Sequence, residues 1–258
     1  MEIIQRIWES TFITIEGLWG LVGLGAFALL FVFLTLRAML VRPFTIRPLA
    51  AADRIRAAVG RATETGEQVH VALGMGGLAG SRAADTLAGL SLVSYLAQRG
   101  ALAEIPVRVR VGDPTALAGA LAVLQRGAVS TGYPDVFDPT QAEFIAPAPL
   151  AYAAGVAEAV RREPMVANAM VGSYGPEVLL PAQAGAQRGL TQVGGTSAPS
   201  ILPLFHGLVD APLLGEEIYA LGSALGRPEH TGSLATQDVF RALLAFGIVL
   251  LTVLALWR

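Results

Sequence analysis

The candidates for ligand binding or catalysis concentrate in five short loops: GMGGLAGS (74–81), GDPT (112–115), APAP (146–149), GSYGPE (172–177) and GGTSAPS (194–200). Glycine, proline and small hydroxyl residues dominate them, which leaves backbone amides open to a ligand. In the first loop Gly74, Gly76 and Ala79 fit G-x-G-x-x-A between an expected strand and an expected helix. Such a run turns the chain tightly and brings a pyrophosphate close to a helix N-terminus, where amides and the helix dipole favour anions. The acid that would hold a ribose about 20 residues further on is missing. Its nearest topological equivalent is Asp113, 33 residues after Gly80. The competing reading of the loop is a set of turns that need glycine for conformation alone.

The other loops carry paired readings of the same kind. Asp113 is either a helix N-cap followed by Pro114 at the first helical position, or a ligand for a ribose or metal. Ser173 follows a strand, as the serine of a nucleophile elbow does, but the G-x-S-x-G spacing is wrong. Tyr174 and Glu177 suit a loop aromatic and a first-turn acid, and Thr196 and Ser197 suit anion ligands or caps. The candidate ligand set for a nucleotide or phosphometabolite is Gly74, Gly76, Gly77, Ser81, Asp113, Ser173, Thr196 and Ser197. No catalytic or metal-ligating set emerges. His70, His206 and His230 lack the spacing of a metal pair, and no cysteine can complete a zinc site. Glu216 and Glu217 read as helix-starting acids, and Asp135 and Asp138 as turn residues beside Pro134 and Pro139.

These loops need a frame that gathers them. Apolar or alternating runs at 69–74, 107–112, 142–146, 165–172 and 190–195 read as strands. Helical patterns follow them at 83–99, 115–127, 150–162, 176–188 and 213–225. Strands separated by helices imply right-handed crossovers and a sheet covered on both faces. The expected fold is therefore α/β, a doubly wound, mainly parallel Rossmann-like sheet over residues 66–235. In that fold the strand ends carrying the five loops form the ligand edge.

Composition points to a bilayer. Charged residues make up only 15% of the chain, against about 25% in ordinary soluble domains. The run 17–36 carries no charge and supplies the roughly 20 apolar residues that a bilayer requires. It is preceded by Glu2, Glu9 and Glu16 and lacks a small-residue cleavage site, which argues against a signal peptide. A second uncharged run, 242–257, lies between Arg241 and Arg258. The expected layout is an interfacial or span-extending segment at 1–16, a transmembrane helix at 17–41, a linker helix at 42–65, the α/β domain, and a second transmembrane helix at 236–258. Arg37, Arg42, Arg47, Arg54 and Arg56 follow the first span, and Arg6 alone precedes it. The positive-inside rule then places the domain in the cytoplasm, with both termini outside the plasma (inner) membrane. A net charge of -2 gives no electrostatic footprint for nucleic acid, and the absence of cysteine excludes a disulfide-stapled module or a thiol catalyst.

The segments FIAPAPLAYAAG (144–155), LTQVGGT (190–196) and PLLGEEIYALGSALGR (212–227), together with the VALGMGGLAGS loop, resemble an uncharacterised family of prokaryotic membrane-anchored proteins with a domain of unknown function. The resemblance implies a soluble domain tethered near its ends and carries no activity, substrate or catalytic residue. Residues 43–235 contain 13 Arg and 16 acids in 193 positions, so the domain itself is as poor in charge as the whole chain. The favoured expectation is a membrane-anchored, homo-oligomerising assembly protein rather than an enzyme. The alternative is a membrane-tethered nucleotide or phosphometabolite binder using the Gly-rich strand ends.

Overall fold

A computed structural model describes residues 48–226 and, between 22 and 33, Val22, Leu24, Gly25, Phe27, Ala28, Leu29, Phe31, Val32 and Phe33. The chain divides into two compact units, Arg47–Gly226 and the pair of flanks Met1–Ile46 and Arg227–Arg258. In the flanking unit the nine described residues are helical and, apart from half-buried Phe27, exposed, with the Phe27 and Phe31 rings stacked at 6.4 Å. No helix among the described residues is long and apolar enough to cross a membrane. The segment expected at 1–16, the span expected at 236–258 and the rest of the span expected at 17–41 lie outside the described residues.

The Arg47–Gly226 unit opens with α1 (Ala50–Thr65), which Gly66 ends in the left-handed conformation at φ 71°. There follow β1 (Gln68–Gly74), α2 (Ala83–Ala103), β2 (Val107–Val111), α3 (Pro114–Ser130) and β3 (Ala142–Phe144). The second half runs α4 (Pro149–Arg162), β4 (Met165–Ser173), α5 (Leu179–Gln187), β5 (Thr191–Thr196), α6 (Leu202–Leu208), β6 (Ala211–Leu214) and α7 (Glu217–Ala224). Short 3-10 turns stand at Pro134–Val136, Pro139–Gln141 and Pro176–Val178. The six strands form one sheet in the order β3-β2-β1-β4-β5-β6, and each neighbouring pair is parallel. This order reverses direction between β1 and β4, the arrangement of a doubly wound dinucleotide-binding sheet.

Period-two alternation sorts the strands between two helix layers. Val69, Val71 and Leu73 of β1, the valines of β2, and Ala167, Ala169 and Val171 of β4 pack in one core with α1, α2, α3 and α7. Ala72 and Met170 face the opposite layer, with Tyr152 and Val156 of α4, Ala182 of α5 and Phe205 of α6. Helix α2 lies against β4 at Gly89, where a Cβ would stand 2.3 Å from the Val171 carbonyl oxygen. A larger residue there would push the central helix off the sheet.

The structure departs from the sequence reading in three places. The helix at 50–65 is no linker: Leu49, Ala51, Ala52, Ile55, Ala58 and Ala62 are buried in the core. The helix read at 213–225 is instead strand β6 and helix α7, divided at Gly215 with φ 57°. Helix α6 and strand β6 were not anticipated, because seven and four residues are too few to display a period.

Candidate functional site

All six strands point the same way, so their carboxyl ends gather the loops along one rim. The eight residues singled out from sequence fall there into three clusters and one outlier.

The first cluster sits at the switch between β1 and β4. Gly74 has φ 76°, and its amide donates to the Tyr152 hydroxyl at 3.0 Å while its carbonyl accepts from the Gly112 amide at 3.0 Å. The Met75 amide donates to the Ser173 carbonyl at 2.8 Å, and a Cβ on Gly74 would stand only 2.0 Å from that oxygen. The Tyr152 hydroxyl donates to the Arg110 carbonyl at 3.2 Å, and the Tyr174 hydroxyl to the Ala72 carbonyl at 2.6 Å. Burial pushes both phenols above their ordinary value, so they act as neutral donors. Beside them, a Cβ on Gly76 would meet Thr86 Oγ1 at 2.5 Å and Ser173 Cβ at 2.7 Å. Thr86 and Ser173 are fully buried, and neither hydroxyl has a hydrogen-bond partner.

The second cluster joins Gly77 to the start of α3. Asp113 is its N-cap, accepting from the Thr115 amide at 2.7 Å and the Ala116 amide at 3.4 Å, with Pro114 at the first helical position. The Thr115 hydroxyl also donates to Asp113 and holds its carboxyl below the usual value. Thr115 Oγ1 in turn accepts from the Leu78 amide at 2.8 Å. A Cβ on Gly77 would collide with Asp113 Oδ1 at 2.7 Å.

The third cluster closes the far end of the rim around Asp85, a buried acid in the first turn of α2. Its carboxylate accepts from Thr196 Oγ1 at 3.3 Å, the Ser197 amide at 3.2 Å, Ser197 Oγ at 2.8 Å and the Tyr219 hydroxyl at 2.7 Å. Burial and then Asp85 itself raise the Tyr219 phenol above its ordinary value. The polar groups of Thr196 and Ser197 are therefore spent on a carboxylate of the same chain. Ser81, the outlier, is exposed in the loop before α2.

Below the rim, the α4 side of the sheet carries a polar row that the sequence did not announce. His70 is fully buried; its Nδ1–H donates to Asn168 Oδ1 at 2.8 Å, and Asn168 Nδ2 donates to Gln192 Oε1 at 3.1 Å. Gln192 Nε2 ends the row on the carbonyls of Ala182 at 2.9 Å and Leu208 at 3.3 Å. Burial, and then the Arg110 guanidinium, lower the imidazole to about 4, so His70 is neutral. Buried Arg110 pairs with Glu143 at 3.3 Å and with Glu163, and Gln68 Nε2 donates to Glu163 at 2.7 Å. Burial works to raise the Glu163 carboxyl, but Arg110 and Gln68 outweigh it and hold it low. Arg108, Arg110, Glu143 and Glu163 line an open groove of about 620 Å³ whose charges balance. No group of three or more His, Asp or Glu among the described residues could hold a metal ion.

Asp85, Thr86, Tyr152 and Tyr219 are the residues that sequence reasoning passed over. An acid in a first helical turn and a tyrosine on a helix look ordinary until distant strands meet them, and no local signal separates them from surface residues.

Fold and rim together define a Rossmann-like α/β domain of six parallel strands, with its Gly-rich loop at the switch point. The chain belongs to the family described as domain of unknown function DUF6754, matched over residues 9–258. No curated protein and no solved structure matches it.

Proposed function

We propose that this chain is a membrane-anchored, self-associating protein whose cytoplasmic α/β domain supplies the contacts of a homo-oligomer. The observation that carries this reading is the apolar surface of a charge-poor domain. At the strand-carboxyl rim, Leu150 at the start of α4 is 69% exposed and Leu214 at the end of β6 is 43% exposed, with Leu78, Leu179 and Leu180 in neighbouring loops and first turns. At the opposite end, Leu102 of α2 is 57% exposed, Val129 of α3 59% and the following Tyr133 53%. Two groups of large apolar side chains on one small domain favour association, and a closed symmetric assembly of identical copies is the ordinary outcome.

Lipid is the second partner in this reading. The uncharged runs 17–36 and 242–257 in the sequence support an anchor at each flank, and the arginines after the first run support a cytoplasmic domain with both termini outside. The apolar, exposed helical residues described between 22 and 33 are of the kind that lipid or neighbouring helices cover. Because the chain has no cysteine, single introduced cysteines give a clean test. After alkaline extraction the chain stays with the membranes, and oxidation crosslinks Leu150→Cys or Val129→Cys into species of two or more copies, whereas Glu64→Cys stays single. Release by alkali would remove the anchor. Failure of both apolar positions to crosslink would remove the self-association.

A further inference from the structure

We infer that the ends of β1 and β4 form a binding site for a soluble phosphate compound, a use of the domain separate from its self-association. Three observations meet at this place. The sheet reverses its strand order here, and in open parallel sheets the crevice outside the strand ends at that point is where ligands bind. Helix α2, 21 residues long, begins here with no side-chain cap from Arg82; the Ala83 amide donates to the Gly80 carbonyl at 3.3 Å, and the Ala84 and Asp85 amides, with the helix dipole, are left for an anion. Directly beside Gly76 lie Thr86 Oγ1 and the Cβ of Ser173, and the hydroxyls of both residues are buried without a hydrogen-bond partner.

The third observation separates this place from the rest of the rim. Elsewhere along it the chain satisfies the same kinds of group: Asp85 takes the Thr196 and Ser197 hydroxyls, and Asp113 takes that of Thr115. A buried hydroxyl left unpaired is costly, so two on the side chains that flank one glycine call for an acceptor from outside the chain. Phosphate oxygens are such acceptors, and they also suit helix amides. The nearby acids are engaged. Asp85 is bonded towards β5 and α7, and Glu177 accepts from the Gly175 amide at 2.8 Å.

Gly76 lies against Thr86 Oγ1 and the Ser173 side chain, so the phosphate reaches their hydroxyls by displacing it. The loop permits this. Its anchors are the Met75 amide on the Ser173 carbonyl and the Leu78 amide on Thr115 Oγ1, and among the described residues no backbone hydrogen bond holds Gly76 or Gly77 between them. Residues 78–82 are exposed. The phosphate then takes the Thr86 and Ser173 hydroxyls and the first amides of α2, with the exposed Arg82 guanidinium within the same turn.

The test is the unfolding temperature of the full chain in a phosphate-free detergent, titrated separately with inorganic phosphate and with ADP. The wild-type chain shows a saturable rise with at least one probe. Thr86→Val and Ser173→Ala unfold without ligand at the wild-type temperature or above it, since each removes an unpaired buried hydroxyl. Both need about tenfold more of that probe for half the rise, the loss of one hydrogen bond of ordinary strength. No rise with either probe, or a rise of unchanged midpoint in both variants, overturns the site.

Discussion

His70 shows how far a residue's chemistry is set by its surroundings. Sequence places it within a strand, and the structure adds that it is sealed beneath the α4–α6 layer with its Nδ1–H fixed on Asn168. Burial and Arg110 lower its pKa from 6.5 to about 4, so the folded protein refuses a proton that the unfolded chain accepts. The sign follows: this contribution to stability is complete above pH 6.5 and is lost as the pH falls towards 4. The loss amounts to about 3 kcal/mol. Urea unfolding of the wild-type chain and of His70→Gln across that window measures it, and the variant's stability falls less steeply with acid. Parallel curves would show that His70 is not the group responsible. The Asp113 and Glu163 carboxyls, held below their usual values, begin to lose their contributions near the acid end of this window, and that loss is common to the wild-type chain and His70→Gln. The G-x-G-x-x-A spacing singled out Gly74 and Gly76, and Gly77 stands beside them in the same loop. What they touch was not, because Ser173, Thr86 and Asp113 come from three other segments of the chain.

At the scale of elements, legibility followed length and period. Strands β1, β2, β4 and β5 announced themselves as apolar runs, and the long helices by their spacing after each of them. Strand β6, only four residues with a proline inside, merged into the helical pattern that follows it. Helix α1 looked like a linker because arginines line one side. Its alanines and Ile55 form the narrow apolar stripe that docks on the sheet. Helix α3 is the clearest case of local sequence fixing an element boundary, since Asp113 caps it and Pro114 suits its first turn. Asp113→Ala removes the cap and costs about 1 kcal/mol, visible as a lower urea midpoint at unchanged slope. An unaltered midpoint would mean that Thr115 and Gly77 hold the start of α3 without it.

For the whole molecule, the poverty of charge is the property that links sequence to function. Fifteen per cent charged residues for the entire chain invites the explanation that lipid hides the rest, yet residues 43–235 have the same share. Within the Arg47–Gly226 unit Arg110 pairs with Glu143 and Glu163, Arg56 pairs with Asp53 on the surface, and large apolar side chains occupy both ends. The first and last helices of that unit are joined by Arg56, which donates to the Ala224 carbonyl. Native mass spectrometry of the full chain, released from mild detergent over a range of protein concentrations, tests self-association most directly. A self-associating chain gives one closed species of two or more copies that persists on dilution. A strict monomer at every concentration would contradict it.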